Sequence, residues 1–149
     1  MREEQREKMT LTMESHSRNE AFARAVVAAF AARLDPTLEE MEDIRTAVSE
    51  AVTNAVVHGY RERPGEIRLE AEIEGRTLRL AVQDWGVGIP DVEKAMEPLY
   101  TTCPQGERSG MGFSFMEAFM DRLQVASAPG EGTRVEMEKR IAGAGYGEG

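Results

Sequence analysis

The sequence predicts an α+β two-layer sandwich, with helices on one face of a mixed, mostly antiparallel sheet. Segments that alternate apolar and polar residues occur in two adjacent pairs, at 66–74 with 77–84 and within 124–140. Two longer segments before the first pair have the apolar spacing of helices. Strands that follow one another without an intervening helix favour an antiparallel sheet over a doubly wound parallel one. The 149 residues suit a single domain, which we place at 9–140.

The chain is expected to open with a flexible, charged tail, residues 1–8, and a first strand. From Met9 to Glu14, Met and Leu alternate with Thr and Glu, which is typical of a strand. A helix should follow, capped by Ser17 or Asn19 and ending near residue 34. Its predicted buried stripe recurs every four residues and consists of Phe22, Val26, Phe30 and Leu34.

A second helix is predicted over 38–58, after the break that "LDPT" introduces. Pro36 disfavours a helical conformation at the residue before it, and Thr37 is a suitable N-cap. Gly59 is a suitable C-cap for the same helix. Alanine, valine and isoleucine side chains share one broad side of it, so that side should face the core.

The second half of the chain predicts two hairpins separated by an irregular segment and a short helix. The first hairpin turns at Gly75, and "DWGVGIP" follows it. Residues 85–109 lack clear periodicity, which in a segment of this length is typical of a functional loop. Helical spacing returns within 110–123, and "QVASAPGEGTRVEMEKR" reads as strand, turn and strand. The Gly-rich tail, 141–149, is expected to be disordered.

Charge and composition exclude several classes of function. A formal net charge of −9 argues against non-specific nucleic-acid binding and against an anionic membrane as partner. The single cysteine, Cys103, excludes an intramolecular disulfide and a multi-cysteine zinc site, which fits a cytoplasmic setting. No apolar run approaches the ~18 residues that a membrane span needs. Protein partners, or a ligand that arrives with Mg²⁺, fit this composition better.

A polar row marks the edge of the second helix. Glu50, Asn54 and His58 follow one another at intervals of four, so their side chains share one side of a helix. A carboxylate can accept a proton from a hydroxyl group, and an amide oxygen is a usable Mg²⁺ ligand. Considered alone, the row is equally compatible with a solvated rim beside the core.

A second motif, at the end of a predicted strand, could bind a nucleotide. Asp84 ends a predicted strand and is followed by Gly86 and Gly88, which allow a backbone to approach a flat ligand closely. A carboxylate there can accept a hydrogen bond from an exocyclic amine. The alternative interpretation is an ordinary Gly-rich turn with an aspartate as turn former.

The segment "ERSGMGF" predicts a phosphate site at the start of a helix. Arg108, Ser109, Gly110 and Gly112 combine a cationic side chain with the free N–H groups of a helix N-terminus. The alternative interpretation is an ordinary N-cap.

In "GEGT", Thr133 precedes the last strand and could form a hydrogen bond with a ligand or a water, although such a residue often only begins a strand.

In this order, the four motifs resemble the GHKL (Bergerat-fold) ATP-binding domain of histidine kinases, gyrase, Hsp90 and MutL. "SEAVTNAVVHGY", "VQDWGVGIPD" and "EPLYTTCPQGERSGMGFSFMEAFMD" look most like the anti-sigma F factors of endospore-forming bacteria, over about residues 10–139. This resemblance implies a serine kinase that binds and inhibits a sporulation sigma factor. It also implies that the kinase phosphorylates, and so inactivates, an anti-anti-sigma antagonist. A cytoplasmic homodimer is implied as well.

The resemblance assigns roles to individual residues. Glu50 would be the catalytic carboxylate, Asn54 would coordinate Mg²⁺, and Asp84 would accept from the adenine amino group. Thr133 would support recognition of the base, and an ATP lid would span about 92–109. Arg24 and Thr53 would contact partner proteins. The residues implied to bind ATP or ADP are Asn54, Asp84, Gly86, Gly88, Thr101, Thr102, Arg108, Ser109, Gly110, Met111, Gly112 and Thr133.

Some features depart from the family pattern or leave alternatives open. Trp85 stands where a polar residue is common, and it would either cover the adenine or simply pack. Cys103 replaces a frequent lid lysine. His16 and His58 are expected to be structural or exposed, without a role as phosphoacceptors. The alternative functions are a general-stress anti-sigma kinase, a nucleotide-dependent sigma-binding module without kinase activity, and an isolated histidine-kinase catalytic domain.

Overall fold

The computed structural model describes residues 6–96 and 112–144. The helices and strands follow one another largely in the predicted order. A short 3₁₀ helix is added after the first helix, and a π-helix follows the second. The elements are β1 (Arg6–Glu14), α1 (Asn19–Ala31), a 3₁₀ helix (Ala32–Leu34), α2 (Leu38–Thr53), a π-helix (Asn54–Gly59), β2 (Glu66–Glu74), β3 (Thr77–Asp84), α3 (Val92–Ala95), α4 (Phe113–Phe119), β4 (Arg122–Ala128) and β5 (Gly132–Arg140). Among the described residues, no helix is long and apolar enough to cross a membrane.

The five strands form one sheet in the order β1-β2-β3-β5-β4. Each neighbouring pair of described strands is antiparallel, so the parallel pairing allowed by the predicted "mixed" sheet is not seen among them. The register places Thr133 opposite Asp84 on one side and opposite Ser127 on the other. Residues that are far apart in the sequence therefore meet at one end of the sheet.

The core lies between the sheet and the helices, which confirms the predicted two-layer α+β arrangement. Ile44, Val48 and Val52 of α2 and Leu69 of β2 are fully buried there. Arg134 on the opposite face of the sheet contacts Glu70 at 2.9 Å and Glu136 at 2.7 Å. Apolar and charged residues alternate along the strands, so the sheet has an apolar inner face and a charged outer face.

The predicted buried stripe of α1 is wrong at its N-terminal end. Phe22 is 52% exposed, whereas Ala23 and Val27 are fully buried, and the buried face then continues through Phe30 and Leu34. A helix has 3.6 residues per turn, so each step of four residues advances by about 40°. A strict four-residue row therefore drifts off the buried face within a few turns.

Both ends of the domain extend beyond the predicted limits. Strand β1 begins at Arg6 instead of Met9, because Arg6 pairs with Glu74 in the sheet and forms a 3.2 Å ion pair with it. At the other end, Ile141 is fully buried, and its carbonyl accepts a hydrogen bond from Arg76 at 2.8 Å. The backbone therefore remains packed through 141–144, within the segment that was expected to be disordered.

Glu40 joins this C-terminal segment to the start of α2. Thr37 and Glu40 form a reciprocal capping box, as the threonine N-cap predicted. The Glu40 carboxylate also accepts from the backbone N–H groups of Ala142 at 2.8 Å and Gly143 at 3.1 Å. Burial raises the pKa of Glu40, but backbone hydrogen bonds from Thr37, Ala142 and Gly143 outweigh it and leave the pKa below its usual value.

Replacing Glu40 by glutamine should lower the free energy of unfolding at pH 7 by about 1 kcal/mol, since an amide cannot accept all three N–H groups. A lowered folded-state pKa means that the carboxylate stabilises the fold above its ordinary pKa of 4.5. That stabilisation is lost as the pH falls through the lower, folded-state pKa. Urea unfolding, followed by the fluorescence of the single tryptophan, should show the difference between wild type and variant shrinking in acid. Glu39→Gln, in the same helical turn, is the control, and an equal effect there would contradict the prediction.

Candidate functional site

The end of α2 changes from an α-helix to a π-helix at the polar row. The α-helix ends at Thr53, and residues Asn54–Gly59 form the wider turn, in which the Tyr60 N–H bonds to the Ala55 carbonyl at 2.9 Å. The predicted continuous α-helix through residue 58 is therefore wrong in its last turn. Single π-turns within helices occur frequently at functional sites.

Asp84 is a buried carboxylate at the end of β3, as the sequence predicts. It is only 5% exposed, and its Oδ1 accepts from the Gly86 N–H at 2.9 Å. Burial raises the pKa of Asp84, and backbone hydrogen bonds from Gly86 and Thr133 partly offset this rise. A buried carboxylate held by backbone donors can still accept from a ligand, because its two oxygens offer about four acceptor positions.

Glycines surround Asp84 because a side chain would occupy the space that the backbone or the carboxylate needs. A Cβ on Gly59 would lie 2.8 Å from the Asp84 Cγ. A Cβ on Gly86 would lie 2.0 Å from the Gly59 carbonyl oxygen, and one on Gly132 would lie 2.1 Å from the Asp84 carbonyl oxygen. Gly59 is thus not the predicted C-cap, since the helical segment continues to it and Tyr60 follows as the cap. Its role is to let the helix approach Asp84.

The Gly86 contact gives a direct test of this packing. Gly86→Ala should lower the free energy of unfolding by about 3 kcal/mol, because the backbone of Gly59 cannot move aside as a flexible side chain can. Gly130→Ala is the matched control. Gly130 lies in the turn between β4 and β5, and nothing lies within 4 Å of a Cβ added there. The control should lose only about 1 kcal/mol through its positive φ. Urea midpoints measure both, and equal losses would contradict the assignment.

A cleft between the helical layer and the end of the sheet collects most of the described nucleotide candidates. Asn54, Asp84, Gly88 and Thr133 all line it, as the four-motif pattern predicts. Apolar side chains complete the walls around these polar groups. Its described lining residues are Ala51, Asn54, Ala55, His58, Gly59, Val82, Asp84, Gly88, Ile89, Phe113, Thr133 and Val135.

Glu50 meets the start of α4. Gly112, the N-cap of α4, has a φ of +66°, and a Cβ placed on it would lie 2.3 Å from the Glu50 Oε1. The far end of α4 is tied down by Lys139, which donates to the Phe119 carbonyl at 2.9 Å. Glu50 therefore stands one helical turn from Asn54 and directly beside the N-terminus of α4.

Several predicted residues lie outside the described part of the chain. These are Thr101, Thr102, Arg108, Ser109, Gly110 and Met111, together with Cys103 and most of the predicted lid. Their roles stay predictions. Within residues 6–96 and 112–144, no group of three or more His, Cys, Asp or Glu side chains could hold a metal ion. Asn54 could nevertheless supply one ligand to Mg²⁺, which commonly takes its remaining ligands from phosphates and water.

The predicted partner residues lie on α1 and at the end of α2. Arg24 forms an ion pair with Glu20 at 3.4 Å, and the Glu20 carboxylate also accepts a short hydrogen bond from the Ser49 hydroxyl group. Thr53 is exposed at the end of α2, one turn from Glu50. The surface of α1 that carries Arg24 is therefore connected to the residue that precedes Glu50.

His58 and Trp85 have different surroundings beside Asp84. His58 lines the cleft, and burial lowers its pKa, so its imidazole is neutral at physiological pH. The four-residue spacing had pointed to it, although its role was expected to be structural. Trp85 packs against Arg68, whose guanidinium carbon lies 5.1 Å from its ring centroid, and a contact between Trp85 and adenine stays a prediction. The backbone N–H of Trp85 also donates to the Tyr60 hydroxyl group at 2.8 Å.

A larger concavity, of about 470 Å³, lies against the sheet, where charged residues such as Arg79, Arg134 and Glu70 line it. Several of its charges already form ion pairs, as in the contacts of Arg134 with Glu70 at 2.9 Å and of Arg79 with Glu138 at 3.8 Å. A bound ligand would have to break these pairs. We therefore assign the candidate site to the cleft at Asp84.

Comparison with known proteins identifies the family of this chain. The family model of the histidine kinase-like ATPase domain matches residues 13–139. By structure, the chain is similar to the RsbU and RsbW domains of a Mycobacterium tuberculosis protein, with a TM-score of 0.64, 22% identity, and coverage of 91% of this chain and 32% of that one. The catalytic domain of the histidine kinase ThkA gives a TM-score of 0.54 at 17% identity, covering 88% and 96% of the two chains. At these identities the likeness establishes the fold.

Sequence comparison identifies closer relatives. The anti-sigma F factor of Clostridium acetobutylicum is 55% identical over 135 residues, which cover 91% of this chain and 94% of the relative. That of Thermoanaerobacter sp. is 57% identical over 133 residues, covering 89% and 93%, and that of Pasteuria penetrans is 56% identical over 138 residues, covering 91% and 92%. The chain therefore belongs to the histidine kinase-like ATPase domain family and, within it, to the anti-sigma F factor family.

Proposed function

We propose that this protein is an anti-sigma factor that binds a sporulation sigma factor and, as an ATP-dependent serine kinase, phosphorylates and inactivates an anti-anti-sigma antagonist. The observation that carries the proposal is the position of Glu50. It stands one turn from Asn54 of the nucleotide cleft and contacts the start of α4, where the chain leaves the predicted lid. Binding a nucleotide alone would not require a carboxylate at that point.

The described residues suggest how the nucleotide would be held. Asp84 would accept a hydrogen bond from the exocyclic amine of adenine, and Thr133 would support the same edge of the base. Asn54 would provide an oxygen ligand to Mg²⁺, which would neutralise charge on the phosphates. The predicted phosphate contacts from Arg108, and from Thr101, Thr102, Ser109, Gly110, Met111 and Gly112, complete this proposal.

Phosphoryl transfer depends mainly on positioning and charge stabilisation. The substrate serine Oγ would attack the γ-phosphorus while the bond to the β–γ bridging oxygen breaks, and ADP would leave. Glu50 would accept the proton that the serine hydroxyl loses. Arg24 and Thr53, on the surface near Glu50, would contact the partner proteins. A cytoplasmic homodimer that uses the edge strand β1 as its contact is part of the same proposal.

The kinase proposal is tested by incubating the protein with labelled ATP, Mg²⁺ and its cognate anti-anti-sigma protein. Acid-stable phosphoserine on that partner is the expected product. Sigma-factor capture, measured with ATP, ADP and no nucleotide, tests the anti-sigma part separately. Nucleotide-dependent capture without phosphoserine would instead indicate a binding module. An acid-labile phosphohistidine on a partner would indicate a histidine-kinase catalytic domain, and selective capture of a general-stress sigma factor would indicate the general-stress type.

A further inference from the structure

Ser127 of β4 joins three parts of the nucleotide cleft through one hydroxyl group. Its Oγ accepts from the Ile89 N–H at 2.8 Å, in the loop that follows Asp84. It donates to the Gly132 carbonyl oxygen at 2.9 Å and lies 2.8 Å from the Thr133 Oγ1. No sequence pattern pointed to Ser127, because a serine in a strand near a turn is common.

The hydrogens of this cluster can be assigned from chemistry. A carbonyl oxygen only accepts, so the contact with Gly132 requires the single hydroxyl hydrogen of Ser127. The contact between Ser127 and Thr133 then needs the hydrogen of Thr133. The Thr133 Oγ1 is left with acceptor capacity alone for any further partner.

Thr133 lines the cleft together with Asp84, and its backbone N–H bonds to the Asp84 side chain. An ionised carboxylate also only accepts. The buried polar end of the cleft therefore presents two acceptors, one from each strand. Such a pair of acceptors can bind the N–H groups of an amino group. It disfavours a carbonyl oxygen, because acceptors that face one another form no hydrogen bond and each loses its bond to water.

We infer that Ser127 is a positioning residue that sets base specificity: by taking the hydrogen of Thr133, it makes the cleft select a 6-amino purine over a 6-oxo purine. This inference rests on the proposed nucleotide site and deepens it. Ser127 acts through Thr133 and does not itself need to touch the base.

The test compares the dissociation constants of ADP and IDP, which differ at the 6-position and the adjacent ring nitrogen and are not consumed by phosphoryl transfer. Isothermal titration calorimetry should show that the wild type prefers ADP by roughly 100-fold. Ser127→Ala frees the Thr133 hydroxyl to donate, and should reduce this preference by about tenfold. Ser127→Thr keeps the hydroxyl group and should keep the preference, which also controls for loss of folding.

A double-mutant cycle with Thr133→Val separates positioning from a merely structural role. If Ser127 acts through Thr133, Ser127→Ala should change the ADP preference by less than about twofold in the Thr133→Val background. A structural role would weaken ADP and IDP binding together and leave their ratio unchanged.

An unchanged ratio in Ser127→Ala would overturn the inference, as would a tenfold effect that persists in the Thr133→Val background. Either result leaves the proposed nucleotide site intact, provided that the wild type binds ADP. Absence of ADP binding by the wild type would overturn the proposed function, and this inference with it.

Discussion

Replacing Glu50 by glutamine is expected to reduce phosphoserine formation on the anti-anti-sigma partner by about 10³-fold, while ADP affinity changes by less than about twofold. Glutamine has nearly the same shape as glutamate, so the close contact with Gly112 at the start of α4 is kept. Its amide cannot accept the proton that the substrate serine loses. Single-turnover transfer of labelled phosphate, measured beside ADP titration of the same preparation, separates the chemical step from binding.

Glu42→Gln is the matched control for this prediction. Glu42 is an exposed glutamate of the same helix and does not line the cleft described here. It should transfer phosphate at the wild-type rate. Wild-type transfer by Glu50→Gln would show that Glu50 only packs against the start of α4, and the role of proton acceptor would have to be given up.

Replacing Asp84 by asparagine is expected to weaken ADP binding by about 100-fold or more, since the buried acceptor for the adenine amine is replaced by a mixed donor and acceptor. The free energy of unfolding of Asp84→Asn should be equal to or higher than that of the wild type. Burial raises the pKa of Asp84, so the folded state holds the proton more tightly than the unfolded state does. Ionisation of Asp84 therefore costs stability, and the cost grows as the pH rises from the ordinary pKa of 3.8 to the raised one.

Urea unfolding between acidic and neutral pH checks this sign. The wild type should lose stability across that interval relative to Asp84→Asn, which cannot ionise there. Asp91→Asn serves as the control, because Asp91 caps α3 through the Lys94 N–H in the same loop and asparagine is an equally good cap. Wild-type ADP affinity in Asp84→Asn would be incompatible with a base-binding role for this carboxylate.

Local patterns predicted most helices and strands correctly where short-range rules decide the outcome, and several predicted site residues line one cleft. Alternating residues identified the strands of both hairpins, because each strand buries one face. Thr37 marked the start of α2, since capping depends on residues only three apart. Asp84 was identified from its place between an apolar strand and two glycines, and the family resemblance then linked it to Asn54 and Thr133.

Other features depend on contacts between distant segments and could not be read from local spacing. Helical periodicity suggested that Phe22 is buried, but the position of α1 against α2 and the sheet turns the neighbouring Ala23 inward. Gly59 looked like a helix cap, whereas its missing side chain makes room for Asp84. The helical spacing also gave no signal for the change to a π-helix after Thr53.

The order of most helices and strands, the acidic charge and the residue types available for nucleotide chemistry follow from the amino-acid sequence, because they depend on composition and on neighbours along the chain. That Ser127, Thr133 and Asp84 share one hydrogen-bonded cluster, and that Glu50 meets Gly112, is visible in the folded chain alone. Those contacts arise from antiparallel register and helix packing, which join residues tens of positions apart.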